Sequence, residues 1–207
     1  MSTPERFWSL DGHSSEPDPV CILISALIGY GFGSIPFGVI AARVRRGRDP
    51  RTSGSGHTGG MNTLRAAGQI AFVITGLGDI GKGVIAVWVV RALDCGDAAA
   101  VTASVCAVVG HCWSIAIRFQ GGMGIGTFAG LTVYWLAIGI PVLVAVWFGL
   151  YALIRHAPRT SVVTGLLPGP IFAVLGGSPG AIAFGAIGGL VISVRHFQDW
   201  NRIYERR

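Results

Sequence analysis

Three clusters of residues in this chain have types and spacing that could handle anions. The first is Gly54-Ser55-Gly56-His57-Thr58-Gly59-Gly60-Met61-Asn62-Thr63-Leu64-Arg65. Its glycines leave backbone N–H groups unshielded, Ser55 offers a hydroxyl, Asn62 an amide and Arg65 a planar cation. Such a set can wrap a phosphate, and it also fits a loop that binds nothing. Gly54, Gly56 and Gly59 form a literal G-x-G-x-x-G, and Asp79 follows at a dinucleotide-like distance. That motif needs a preceding strand and a βαβ unit. Here an arginine-rich segment precedes it and Asp79 lies in an apolar run, so a dinucleotide site is rejected. The second cluster is Gly78-Asp79-Ile80-Gly81-Lys82-Gly83, which holds the sole lysine of the chain. An acid and a base three residues apart meet on one helix face. Ionisable groups inside apolar spans are costly and point to function, although a structural ion pair that orients the helix fits equally. The third cluster pairs Gly110-His111 with Arg118-Phe119-Gln120-Gly121-Gly122-Met123-Gly124-Ile125-Gly126-Thr127. His111, about two helical turns before Arg118, can serve as a base, hold a phosphate oxygen or cap a neighbouring helix. Gly121, Gly122 and Gly124 form a second potential anion cradle that opens onto a helix N-terminus.

What must hold these clusters follows from composition. The 207 residues are 51% hydrophobic and 13% charged, with 32 glycines. Soluble domains carry about 25% charged residues and about 7% glycine. Sixteen basic and ten acidic side chains cannot cover a water-soluble globule of this size. The net charge of +6 is therefore not read as a nucleic-acid footprint. The chain reads as an all-α polytopic membrane bundle with its charges crowded into short loops. No cofactor and no metal is implied. Cys21, Cys95, Cys106 and Cys112 lack any metal-like or paired spacing and read as buried thiols acting as small hydrophobes.

Val20 to Ala42 is free of charge and long enough to cross a bilayer core of about 30 Å. Gln69 to Val90, interrupted by Asp79 and Lys82, is a second apolar run, and Ala98 to Ile117 a third. Phe119 to Ile154 is split at Gly139-Ile140-Pro141, and Thr160 to Val194 at Gly176-Gly177-Ser178-Pro179-Gly180, both turn-like. The count is about seven spans, some of them short; five with a re-entrant piece is the alternative. Residues 1–19 form an acidic tail without a signal-peptide pattern, 20–194 the bundle, and 195–207 a basic tail. Arg43, Arg45, Arg46, Arg48, Arg51 and Arg65 cluster after the first span, and further arginines follow the third, fifth and seventh. By the positive-inside rule these loops are cytoplasmic, the N-terminus is outside and the C-terminus inside. Gly29-x-x-x-Gly33 and Gly185-x-x-x-Gly189 read as close helix packing.

Taken together, these elements resemble the bacterial acyl-phosphate:glycerol-3-phosphate acyltransferase family, PlsY. Its first motif, roughly G-S-G-N-x-G-A-T-N-x-x-R, resembles Gly54 to Arg65. A D-x-x-K-G element matches Asp79, Lys82 and Gly83. A G-H-x-x-P…G-G-K-G-V-A-T element resembles Gly110 to Thr127. The R-H-R-x-N type of tail resembles Arg195-His196 onward, and G-S-I-P-F-G is intact as Gly33 to Gly38. The departures are His57 for Asn, Gly60-Met61 for Ala-Thr, Ser114 for Pro, Met123 for Lys and Asp199 for Asn.

The resemblance implies transfer of an acyl group from acyl phosphate to the 1-hydroxyl of sn-glycerol 3-phosphate, giving lysophosphatidic acid and phosphate, at the cytoplasmic side of the bacterial inner membrane. The expected partners are these two phosphorylated substrates and the bilayer, with no nucleic acid, and the protein is expected to be a monomer. An acyl phosphate is already activated, so a nucleophile triad is not required. Ser55, Arg65, Lys82 and His111 are the catalytic candidates. Ser55, Asn62 and Arg65 would hold one phosphate, with Gly54, Gly56 and His57 in the same loop. Gly121, Gly122, Gly124 and Lys82 would serve the other, and Ser161 and His196 would close the site. The hydroxyl proton would go to a substrate phosphate oxygen or to His111. The rival readings are a divergent paralogue acylating another phosphorylated acceptor, a catalytically silent lipid-phosphate-binding membrane protein, and a small transporter.

Overall fold

The computed structural model describes residues 18–202; most of the acidic 1–19 tail and the last residues of the 195–207 tail lie outside the described residues. Nine α-helices and no strand are found among them: α1 (Pro19–Gly33), α2 (Phe37–Val44), α3 (Gly60–Ala92), α4 (Gly96–Cys112), α5 (Ile125–Leu136), α6 (Gly139–Ile154), α7 (Ala157–Gly165), α8 (Pro168–Val174) and α9 (Pro179–Phe197). The start signals are local. Asp18 accepts the Val20 N–H at 2.9 Å with Pro19 at the first helical position. Ser178 accepts the Ala181 N–H at 3.2 Å ahead of Pro179. Both use a short polar side chain to satisfy a helix donor.

Beside an apolar core of Val87, Val108, Leu131, Phe172 and Phe184, the interior holds many polar side chains, while large apolar ones face outward. Thr75, Asp79, Lys82, Ser104 and His111 are buried, whereas Leu23, Trp88, Phe148 and Leu153 are exposed. Such an inversion suits lipid as the surrounding solvent. Four helical segments among the described residues are long and apolar enough to cross a membrane: Pro19–Val44, Gly60–Ala92, Gly96–Ile117 and Pro179–Phe197. The chain is a polytopic membrane bundle, and its other apolar helices are shorter than these four. Glycine and proline shorten the remainder. Ile125–Leu136 and Gly139–Ile154 are shorter apolar helices, and the run from Thr160 is broken into α7 and α8 before α9 begins.

Helices α1 and α4 run parallel in one register. A Cβ on Gly29 would overlap the Ala103 carbonyl, and one on Gly33 the Ala107 carbonyl. Only glycine permits this backbone approach, and Gly29-x-x-x-Gly33 is thereby an intramolecular packing motif. The same register brings Cys21 and Cys95 together as a disulfide across a sequence separation of 74. Two of the four cysteines are therefore not buried thiols; Cys106 and Cys112 are free. The spacing hid the bond because the pairing depends on two helices starting at the same level. The covalent link closes a long loop, which stabilises a folded chain by about 2–4 kcal/mol. Cys21→Ser should lower the melting midpoint in detergent by about 5–15 °C, and wild type in reductant should match it. Equal midpoints in oxidised and reduced wild type would show that the link does not hold the bundle.

Between α1 and α2 the helix breaks at Ser34-Ile35-Pro36. Unwound backbone at membrane depth persists only where its polar groups find partners. The Ser34 carbonyl accepts the Ser114 hydroxyl at 2.5 Å. The Ile35 carbonyl accepts Lys82 Nζ at 3.0 Å. A second irregularity lies in α3: Gly68 takes φ 84°, separating a first piece that carries Asn62 and Arg65 from the long span.

Candidate active site

A cavity of about 620 Å³ gathers residues from the loop before α3 and from α3, α4, α5, α6, α7 and α9, among them Ser55, Arg65, His111, Gly124, Ser161 and His196. His57 and Asn62 line it too, as does Asp79, which sequence reasoning read only as the partner of Lys82. Lys82, Gly54, Gly56, Gly121 and Gly122 do not line it. Three helix N-termini open onto it, represented by Gly59-Gly60-Met61 for α3, Gly124-Ile125-Gly126 for α5 and Ala157-Pro158 for α7. The first N–H groups of a helix have no intrahelical acceptor and carry about half a positive charge. Convergence of three such ends beside the Arg65 guanidinium is an arrangement with the chemistry to hold an anion.

The loop before α3 is organised by Asn62. Its Nδ2 donates to Ser55 Oγ at 2.8 Å and to the His57 carbonyl at 2.9 Å. Its Oδ1 accepts from Arg65 Nη1 at 3.2 Å and from the Ser55 N–H at 3.4 Å. Both amide donors of this buried side chain are used within the protein, so Asn62 orients Ser55 and Arg65 rather than grasping a phosphate itself. The Ser55 oxygen accepts from Asn62, which leaves its O–H for a cavity ligand. Gly54 and Gly56 take φ 51° and 74°, values that glycine adopts without strain. They shape the loop and do not reach the cavity.

His57 departs from its expected phosphate contact for a similar reason. Its Nδ1 lies 3.2 Å from Arg195 Nη2 and its Nε2 lies 2.7 Å from Asp199 Oδ2. A guanidinium can only donate, so Nδ1 is the bare nitrogen and the Nε2–H donates to the carboxylate. Burial pulls the His57 pKa below its ordinary value, outweighing the Asp199 hydrogen bond that pulls it up. The ring is neutral and gives no charge in place of a missing lysine.

The second expected cradle is displaced by one step. The Gly122 N–H donates to the His111 carbonyl at 3.0 Å. A Cβ on Gly121 would overlap that same carbonyl, and one on Gly122 would overlap His111 Nε2. These glycines are spacers packed on His111, and of the three it is Gly124, at the start of α5, that lines the cavity. Met123 lines the cavity with a thioether. Arg118 is exposed and lies outside the cavity lining.

Lys82 is also displaced from its expected contact. Its Nζ pairs with Asp79 Oδ1 at 2.9 Å and donates to Ile35. Asp79 Oδ1 lies 3.4 Å from His111 Nδ1. The lysine thus closes the helix break, one shell behind the cavity wall. Ser161, by contrast, sits where expected and gains a partner that sequence reasoning missed: Trp147 Nε1 donates to its Oγ at 3.0 Å. Both residues, with Ile125, also line an adjoining apolar cavity of about 260 Å³ walled by Phe128, Leu143 and Val144. Trp147 lies in a charge-free run with nothing in its spacing to mark it. At the far wall, His196 Nδ1–H donates to the Ile192 carbonyl at 2.9 Å, fixing its ring.

The glycerol-3-phosphate acyltransferase family model matches residues 23–206. The chain belongs to that family. Among relatives named glycerol-3-phosphate acyltransferase, that of Jannaschia sp. is 36% identical over 91% of this chain and 92% of its own. That of Rubrobacter xylanophilus is 35% identical over 86% of this chain and 88% of its own. The fold is that of the crystal structure of PlsY, an integral membrane glycerol 3-phosphate acyltransferase, in its glycerol 3-phosphate form. The TM-score is 0.74 at 24% identity, covering 90% of this chain and 95% of that one. The lysophosphatidic acid form matches with a TM-score of 0.72. Within the glycerol-3-phosphate acyltransferase family, this chain combines intact first-motif residues Ser55, Asn62 and Arg65 with a cavity wall that carries Met123, His57 and Asp199 nearby.

Proposed function

We propose that the chain transfers an acyl group from acyl phosphate to the 1-hydroxyl of sn-glycerol 3-phosphate. The observation that carries this reading is that the cavity lined by Ser55, Arg65 and three helix starts shares Ile125, Trp147 and Ser161 with an apolar one. A phosphorylated head and a hydrocarbon tail have opposite solvation needs, and each extra methylene that leaves water contributes about 0.8 kcal/mol. The two cavities meet both needs with the shared wall at the junction, where the acyl carbonyl would lie. Arg65, Ser55 and the starts of α3 and α5 would hold phosphate oxygens. Ser161, already accepting from Trp147, would turn its O–H toward the carbonyl.

The acceptor hydroxyl attacks that carbonyl, an ester bond forms, and the bond from carbonyl carbon to phosphate oxygen breaks. The hydroxyl proton leaves on the departing phosphate. A substrate oxygen suits this role better than His111, because the His111 ring is packed between Asp79 and Gly122. The site would face the cytoplasm. The arginine-rich Arg43 to Arg51 segment adjoins α3 at this end, and the Cys21–Cys95 disulfide lies about 24 Å of helix away from His111 along α4, where an oxidising compartment would maintain it.

Purified protein in detergent supplied with palmitoyl phosphate and glycerol 3-phosphate should release inorganic phosphate and form palmitoyl lysophosphatidic acid in equal amounts. Palmitoyl coenzyme A, which lacks the acyl phosphate group, should be a much poorer donor. Binding of glycerol 3-phosphate without turnover would replace this reading with the silent lipid-phosphate-binding one. Turnover with another phosphorylated acceptor alone would replace it with the paralogue.

A further inference from the structure

Two side chains that the mechanism leaves out, Arg195 and Asp199, are joined through His57 into one buried chain. Arg195 projects from the last turn of α9 and is 7% exposed; Asp199, just beyond that helix, is also 7% exposed. The Arg195 Nε–H donates to the Gly122 carbonyl at 2.9 Å, and its Nη2 lies 3.2 Å from both the Gly121 carbonyl and His57 Nδ1. Its Nη1 donates to Gln198 Oε1 at 2.6 Å. The Nε2–H of His57 then donates to Asp199 Oδ2 at 2.7 Å, and Asp199 Oδ1 lies 3.5 Å from Arg202 Nη1. On the other side, the His57 carbonyl accepts from Asn62, the residue that orients Ser55 and Arg65.

Hydrogen bonds therefore run without a break from the segment leading into α5, through the end of α9, to the loop leading into α3. These are two of the three helix starts that face the cavity, the third being that of α7. Among the described residues no backbone–backbone hydrogen bond joins the two loops, and the one other side-chain link is a long, exposed contact from Arg51 Nη1 to Gln120 Oε1 at 3.5 Å. Their separation sets the distance between two groups of phosphate donors, and small errors in such distances weaken binding sharply.

We propose that Arg195, His57 and Asp199 are positioning residues that set the spacing of the α3 and α5 starts, and so the affinity for phosphorylated substrate, through the loops they tie together. The affinity part rests on the acyltransferase reading above; the spacing part does not.

The test uses His57→Phe, which keeps a ring and removes both nitrogens, Asp199→Asn, which alters one atom, and the double variant, all as full chains in detergent. Each single variant should raise the KM of at least one phosphorylated substrate about tenfold, the size expected for one charge-assisted hydrogen bond. The value of kcat should stay within about threefold, and the double variant should be no worse than the worse single, because a chain once cut is not cut again. Amide hydrogen exchange should rise in residues 53–59 and 118–124 together. An inactive wild type would sink the acyltransferase reading while exchange still decided the spacing. Unchanged KM and exchange in Asp199→Asn, multiplying KM effects in the double variant, or a fall in kcat at constant KM would each overturn the proposal.

Discussion

Arg65→Ala should cut phosphate release, measured below saturation in both substrates, by about a hundredfold or more. Among the described residues Arg65 is the one permanently charged cation that lines the cavity: Lys82 lies behind the wall, Arg118 is exposed elsewhere, and Met123 brings no charge. A guanidinium presents paired donors in a fork that matches phosphate oxygens. Hydrogen bonds to a charged partner contribute about 1.5–3 kcal/mol each, so losing a pair removes about 3–6 kcal/mol of transition-state binding. The backbone donors at the starts of α3 and α5 remain, which keeps some binding. Arg65→Lys should recover only part of the loss, since an ammonium keeps the charge but not the fork. Asn62 refines the expectation: Asn62→Ala should also reduce the rate, because Ser55 and Arg65 both lose the amide that orients them. If Arg65→Ala retained more than a third of the wild-type rate, the anion site would have to be placed elsewhere.

The sequence made the membrane class and most of the site neighbourhood legible, because both are written in local patterns. Charge-free runs mark spans by length alone, and Ser55 and Arg65 of the first motif both line the cavity, as does Ser161. What stayed hidden depends on three-dimensional partners. Gly121 and Gly122 looked like a cradle because open N–H groups and close packing call for the same residue; only the His111 ring beside Gly122 tells them apart. Asn62 and His57 looked like ligands because a polar side chain in a loop does not announce whether its donors are already used. The Cys21–Cys95 bond needed the common register of α1 and α4, which Gly29 and Gly33 hint at but do not fix. Helix breaks within the apolar runs also stayed hidden, because they are held by tertiary contacts, as at Ile35, or set by proline, as between α7 and α8.

Lys82→Met should destabilise the bundle severely while sparing substrate recognition in whatever fraction folds. Lys82 is 3% and Asp79 5% exposed, and their 2.9 Å pair lies beside a broken helix. Removing one partner of a buried pair costs about 3–5 kcal/mol, because the other charge is left uncompensated. Here the Ile35 carbonyl loses its donor as well, adding about 1–3 kcal/mol for an orphaned buried acceptor. The sum approaches the whole stability of an ordinary domain, about 5–15 kcal/mol, so low yield and a collapsed melting midpoint are expected. Asp79→Asn combined with Lys82→Met removes the stranded charge and should recover much of the midpoint, though not the part owed to Ile35. That partial rescue separates a structural lysine from a chemical one. A lysine that acted on the substrate would show the reverse pattern: Lys82→Met would melt like wild type, its rate would fall by orders of magnitude, and adding Asp79→Asn would restore nothing.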